Sequence, residues 1–146
     1  MLSFELTHPD LLQALASSGH GTKVLIADGN YPHNTGAPAA ARRINLNLRP
    51  GLLTVDQILE VLAVSVPLES AEIMTDDDGA CAPCVDGYRA LLGTEIPVLG
   101  HGRFAFYAAA READVAVVIA SGDQRQYANL LLTVGVRTAG SSLPGA

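Results

Sequence analysis

Apolar positions along the chain fall into two alternating patterns. Leu11, Leu12, Leu15 and Ala16 recur at helical spacing, with Pro9 suited to a first turn and Thr7 or His8 where a cap is needed. This predicts a helix over 10–17, ended by Gly19 in a left-handed conformation. Lys23 to Ala27 is a short, nearly continuous apolar run between Gly21 and Gly29, as in a strand covered on both faces. Ile44 to Leu48 alternates with period two and stops at Pro50-Gly51, which predicts a second strand. Thr54 and Gln57 have capping-box spacing ahead of Ile58, Leu59, Val61 and Leu62, and open a second helix. Further on, Glu69–Met74 reads as a strand and Val85–Leu92 as a short helix, while Pro97 assigns Ile96–Leu99 to a sheet edge. Arg103–Ala113 is alanine-rich and helical, with Phe104 and Tyr107 on one face. Val115–Ala120 is the clearest buried strand, and Asn129–Val136 supplies another. Helices alternating with short buried strands predict the α/β class, a single layered domain whose mostly parallel sheet is flanked by helices. The domain is expected over 1–138, followed by a flexible C-terminal tail of small residues, 139–146.

Composition narrows the class. The chain has 146 residues, a length typical of one domain, and is 49% hydrophobic but only 16% charged. Nine basic and fifteen acidic side chains leave a net charge of −6, which argues against a nucleic acid or an anionic membrane as partner. No apolar run approaches the roughly 20 residues of a spanning helix. Two cysteines are too few for a disulfide scaffold, and no secretory pattern precedes the first periodic segment. A charged fraction below the usual ~25% predicts that some apolar surface is hidden between subunits. A cytoplasmic homo-oligomer is the expectation.

In open α/β sheets, ligands sit beyond the carboxyl ends of the strands, which directs attention to residues after Ala27, Leu99 and Ala120. Gly19-His20-Gly21 precedes the first strand, and Asp28 ends it. Both side chains would face one pocket if the glycine turn folds back; the plainer reading has His20 closing a helix end and Asp28 capping a turn. Imidazole suits a reaction that removes and returns a proton near neutral pH. Arg103, at a helix start where the macrodipole disfavours a cation, points to a polar ligand or an acidic partner, or is simply exposed. Phe104, Phe106 and Tyr107 read as core or interface. Beyond the strongest strand, Ser121-Gly122-Asp123 reads as a turn, and Tyr127 and Asn129 carry the donors and acceptors that sugar hydroxyls use. Cys81-Ala82-Pro83-Cys84 lacks the further ligands of a zinc site. It also follows an acidic turn rather than directly opening a helix after a strand, which weighs against a redox role but leaves a thiol redox module using Cys81 and Cys84 as an alternative reading. The histidines at 8, 20, 33 and 101 lack helical metal-site spacing, and no metal site is assigned.

Taken together, Gly19-His20-Gly21, the strand ending at Asp28 with Pro32 after it, Arg103-Phe104-Ala105-Phe106-Tyr107 and Tyr127-Ala128-Asn129-Leu130-Leu131-Leu132 before Gly135-Val136 are similar to the D-ribose pyranase and L-fucose mutarotase family. The resemblance runs over most of the chain. The arginine–phenylalanine stretch looks like the fucose branch, since the ribose branch usually carries a histidine there. It implies a cofactor-independent isomerase that interconverts sugar anomers or ring sizes, with His20 as proton donor. Asp28, Arg103, Tyr127 and Asn129 would bind the monosaccharide, with the backbone of Ala128 alongside, and the sites would lie near subunit contacts. The chain departs from the fucose pattern at Asn30, where a histidine is common, at Thr22, where an acid is common, and around Cys81 and Cys84. A pyranase acting on ribose and a non-catalytic sugar-binding protein are the alternatives.

Overall fold

Four of the six strands are largely apolar and bury both faces, and such strands must be covered by helices on either side. The computed structural model, which describes residues 1–141, arranges them in that way. In chain order the elements are α1 (Pro9–Ala16), β1 (Lys23–Ala27), β2 (Arg42–Asn45), α2 (Val55–Ser65), β3 (Leu68–Met74), α3 (Cys84–Leu92), β4 (Val98–His101), α4 (Arg103–Ala110), β5 (Val115–Ala120) and β6 (Leu130–Val134). The sheet order is β2-β5-β1-β6-β3-β4. β6 runs antiparallel to both of its neighbours, and every other pair is parallel. The start of β6 therefore lies at the same sheet edge as the ends of the other five strands.

One face carries Val24, Ile26, Ala71, Ile73, Leu130 and Leu132 beneath α1, α2 and α3. The other packs Leu25, Val118 and Leu131 under Phe106 and Ala110 of α4 and under Tyr31, Ala37 and Ala41 from the loop after β1. The predicted capping box is present: the Thr54 N–H donates to Gln57 Oε1 at 2.9 Å, and the Gln57 N–H to Thr54 Oγ1 at 3.4 Å. His8 is the cap of α1, its Nδ1 accepting the Leu11 N–H at 3.3 Å.

Several boundaries differ from expectation: β3 and α3 start one residue earlier, β4 lies at 98–101 rather than 96–99, β6 at 130–134 rather than 129–136, and three more have a local cause. The left-handed glycine after α1 is Gly21 (φ 82°), not Gly19, because the turn closes where the Gly21 N–H meets the Val134 carbonyl at 2.9 Å. The second strand is Arg42–Asn45 rather than 44–48, since its ladder to β5 ends at the Asn45–Ala120 pair. α4 stops at Ala110, capped by Arg111, three residues short of Ala113. Most of the expected tail, 142–146, lies outside the described residues.

After β2 the chain turns through 49–52 and docks on Gly122, whose N–H donates to the Leu53 carbonyl at 2.9 Å. The Gly122 carbonyl in turn accepts the Gly51 N–H at 2.7 Å. A methyl group on Gly122 would collide with the backbone carbonyls of Leu52 and Arg49. Gly122→Ala is accordingly expected to cost about 3 kcal/mol in urea unfolding, because backbone rather than a flexible side chain must move. A loss under ~0.5 kcal/mol would contradict this packing.

Candidate functional site

Because β6 is inserted beside β1, residues a hundred positions apart meet at the sheet edge. The Asp28 N–H donates to Asn129 Oδ1 at 2.8 Å, and Asn129 Nδ2 donates back to Asp28 Oδ2 at 3.0 Å. The other Asp28 oxygen accepts the Asn30 N–H at 2.9 Å, and the Asp28 carbonyl accepts His33 Nε2 at 2.9 Å. Burial pushes the Asp28 carboxyl up from its ordinary 3.8, with the nearby Asp123 charge acting in the same direction against the Asn30 and Tyr31 backbone donors. A carboxyl held that way in a cleft is a mark of a functional group.

Next to it stands Tyr127, the one non-glycine residue with positive φ (59°) among the described residues. A bulky side chain in this region costs on the order of 1–3 kcal/mol and persists only where its surroundings dictate it. On one side, Arg125 is locked to Asp123 (Nε to Oδ1 3.0 Å, Nη2 to Oδ2 2.6 Å) and to Asp56. On the other, the Ala128 carbonyl accepts the buried Tyr88 hydroxyl at 2.8 Å, and Asn129 is held by Asp28. Asp123 also takes the first N–H of α2, from Val55, at 2.9 Å. Burial opposes ionisation of Asp123, but the Arg125 and Val55 hydrogen bonds outweigh it and hold the carboxyl below 3.8.

Asp28, Tyr127 and Asn129 share one cavity of about 260 Å³ with Arg103, Asn30, Tyr31, Met74, Tyr107 and Gln126. Its size is just under the range for drug-sized ligands, the scale of a single small ring. Arg103 opens α4, its guanidinium carbon 5.8 Å from the centre of the Tyr107 ring and 6.0 Å from that of Phe104. The pocket thus offers a carboxylate, a guanidinium, three primary amides and phenols in one polar concavity. A larger polar cavity of about 490 Å³, lined by His33, Asn47, Arg49 and Gln124, adjoins it at Asn30. No group of three or more histidine, cysteine, aspartate or glutamate side chains able to hold a metal ion occurs among the described residues.

Four of the six residues singled out from sequence therefore meet. Ala128 lies buried behind them and is absent from the cavity wall. His20 is not brought in: it precedes β1 and stands at the opposite sheet edge, exposed, with Nε2 2.6 Å from Glu69 Oε2. Five strand residues at about 3.3 Å each separate it from Asp28, so a glycine turn cannot fold it back within the same chain. Of the three aromatics of α4, Phe106 is core, Tyr107 lines the cavity and Phe104 is 81% exposed. Gln126 belongs to the polar stretch 121–129 that follows the strongest strand, whereas Met74 was not legible as a lining residue. The position of Met74 at the end of β3 was the available signal, since every parallel strand delivers its last residues to this edge.

An α/β domain with its polar pocket at the carboxyl edge of the sheet is the architecture of a small-molecule-binding protein. The chain belongs to the RbsD / FucU transport protein family, whose pattern matches residues 1–137. It is 36% identical to the fucose mutarotase of Bos taurus over 140 residues, 90% of each chain. Among solved structures, Bacillus subtilis RbsD complexed with D-ribose superposes with a TM-score of 0.80 at 25% identity, covering 94% of this chain and all of the other. The fucose mutarotase of Streptococcus pneumoniae in complex with L-fucose gives 0.76 at 26% identity, covering 90% and 94%.

The two carboxyls act on stability in opposite senses. Asp123, lowered, contributes stability above pH 3.8 that is lost as the pH drops through its folded value. Asp28, raised, favours the fold below pH 3.8 and loses that contribution as the pH climbs through its folded value. Carboxyl-carbon NMR titration is expected to find Asp28 protonating above 3.8 and Asp123 below it. Asp123→Asn is expected to lower stability near pH 7 by about 2 kcal/mol, and by much less in acid, where the wild-type group is itself neutralised. The reverse titration order would refute this electrostatic picture.

Proposed function

We propose that the protein is a cofactor-independent sugar mutarotase, an isomerase that interconverts the α and β anomers of L-fucose or a related monosaccharide. The observation that carries this reading is the convergence of Asp28, Arg103, Tyr127 and Asn129 on one ring-sized cavity. Anomer exchange removes the proton from the anomeric hydroxyl and protonates the ring oxygen. The ring opens to the aldehyde, the C1–C2 bond rotates, and the ring closes on the other face. Asp28 and Asn129, already fixed to one another, grip hydroxyls; Arg103 stabilises negative charge developing on a sugar oxygen. Tyr127, held in its unusual backbone conformation, orients the ring, and the backbone of Ala128 supports it from behind.

The proton is carried by His20, delivered from a neighbouring copy of the chain. Glu69 bonds Nε2 of the imidazole and leaves Nδ1 for the substrate. Exposed apolar side chains occur at both ends of the molecule: Phe104 against Arg103 of the cavity, Val64 and Val136 near the His20 edge. Such a distribution suits a head-to-tail contact, in which the histidine edge of one subunit closes the pocket of the next, and a closed ring follows when the rotation permits. The homo-oligomer, acting in the cytoplasm, then accounts for the low charge of the surface. Among the described residues no helix is long and apolar enough to cross a membrane. A second reading, conversion of D-ribose between pyranose and furanose forms, is favoured by the fold likeness to the ribose complex.

Saturation-transfer NMR on L-fucose and D-ribose separates these readings, since only a substrate exchanges between its forms faster than in buffer. L-fucose is expected to exchange faster, and no acceleration with any sugar would leave a binding protein without turnover. His20→Ala is expected to lose about 10²-fold or more in exchange while still binding sugar. Arg103→Ala is expected to weaken binding. Unfolding and refolding the two variants together should restore activity, to roughly a quarter of wild type if sites form at random between subunits. A mixture no more active than its components would refute the shared site.

A further inference from the structure

The cysteine pair has a structural setting that its sequence neighbourhood conceals. α3 begins at Cys84, one residue ahead of expectation, with Pro83 as its cap. β3 is the element immediately before it, joined by the acidic turn at 76–79. Cys81 is exposed and Cys84 is buried. The pair thus opens a helix after a buried strand, with one sulfur open to attack and the other shielded behind it. Both cysteines line a cavity of about 410 Å³ whose wall also contains Arg125, Gln126 and Tyr127. Two of these, Gln126 and Tyr127, line the sugar cavity as well.

Each cysteine is tied to a different wall of that sugar cavity. Cys81 pairs through its backbone with Thr75, the residue following Met74 at the end of β3. Cys84 lies one helical turn before Tyr88 and touches its side chain, and the Tyr88 hydroxyl holds the Ala128 carbonyl between Tyr127 and Asn129. A bond between the two sulfurs would therefore link the end of β3 to the 126–129 segment through these two ties.

We propose that Cys81 and Cys84 are a reversible dithiol/disulfide site, oxidised by low-molecular-weight disulfides, whose state sets the geometry of the sugar pocket. The Cys81 thiolate attacks the small disulfide, forming a mixed disulfide and releasing one thiol. Cys84 then attacks the Cys81 sulfur, closing the Cys81–Cys84 bond and releasing the second thiol. The two sulfurs lose two electrons to the small disulfide, and the two thiol protons leave with the released thiols. The buried position of Cys84 directs it to the second step.

The test is a series of dithiothreitol and glutathione redox buffers applied to the whole protein. Intact mass is expected to show loss of two hydrogen atoms per chain on oxidation, reversed by dithiothreitol. Amide resonances of Gln126, Tyr127, Ala128 and Asn129 are expected to shift in step. Cys81→Ser is expected to keep wild-type resonances in reduced buffer and to show neither change on oxidation. The effect on turnover rests on the mutarotase reading: sugar exchange is expected to fall about tenfold when the pair closes, as sub-ångström misplacement of binding groups would cause. Absence of an intramolecular disulfide, or a disulfide that leaves residues 126–129 unmoved, overturns the proposal. Reduced protein inactive on every sugar counts against the mutarotase reading alone, because mass and resonances report on the thiols independently.

Discussion

The reciprocal bonds between Asp28 and Asn129 are the constraint on which the pocket depends. They exist because β6 lies antiparallel between β1 and β3, bringing the residue before one strand against the residue after another. Were β6 parallel to its neighbours, Asn129 and Tyr127 would enter the sheet at the edge where His20 stands. Mutual hydrogen bonding lets a carboxylate sit almost wholly buried with both oxygens engaged, and no buried side-chain polar atom is left without a partner among the described residues. The geometry offered to a ligand is thereby set before the ligand arrives, which lowers the ordering cost of binding.

Two aspartates occupy the same edge and divide the work. Asp123 is saturated by Arg125, by the first turn of α2 and by its own loop, and its role is to hold the segment that leads into Tyr127. Asp28 has no cation bonded to it; amide donors alone support it, and its charge remains available to a sugar hydroxyl. Their opposite displacement from the ordinary carboxyl value expresses this division, since a paired carboxylate stabilises a fold and a desolvated one burdens it.

Elements whose residues carry their own pattern were legible in the chain. The run Val115–Ala120 matched β5 residue for residue, and Thr54 with Gln57 marked the start of α2. Boundaries decided by long-range contacts were not. Period-two alternation over 44–48 continues past the point where β5 ends, so only the ladder reveals that pairing stops at Asn45. In the site, the residues of strand ends were readable from position, whereas the separation of His20 from Asp28 was not. Sequence proximity across β1 suggests a meeting, but an extended strand enforces the opposite. The context of Cys84 was hidden in the same way, because the start of α3 depends on a proline cap rather than on apolar spacing.

The position of β6 has a consequence for the order in which a ribosome delivers the molecule. The last strand to be synthesised among those described is third from one sheet edge, so until it emerges β1 and β3 each expose an open ladder with nothing between them. The nascent chain can form its helices and the β2-β5-β1 ledge, but it holds a cleft where Leu130–Val134 must later thread. Translation that stops short of this strand therefore yields a polypeptide with a split core and no receptor for a ligand, rather than a weakened version of the finished protein.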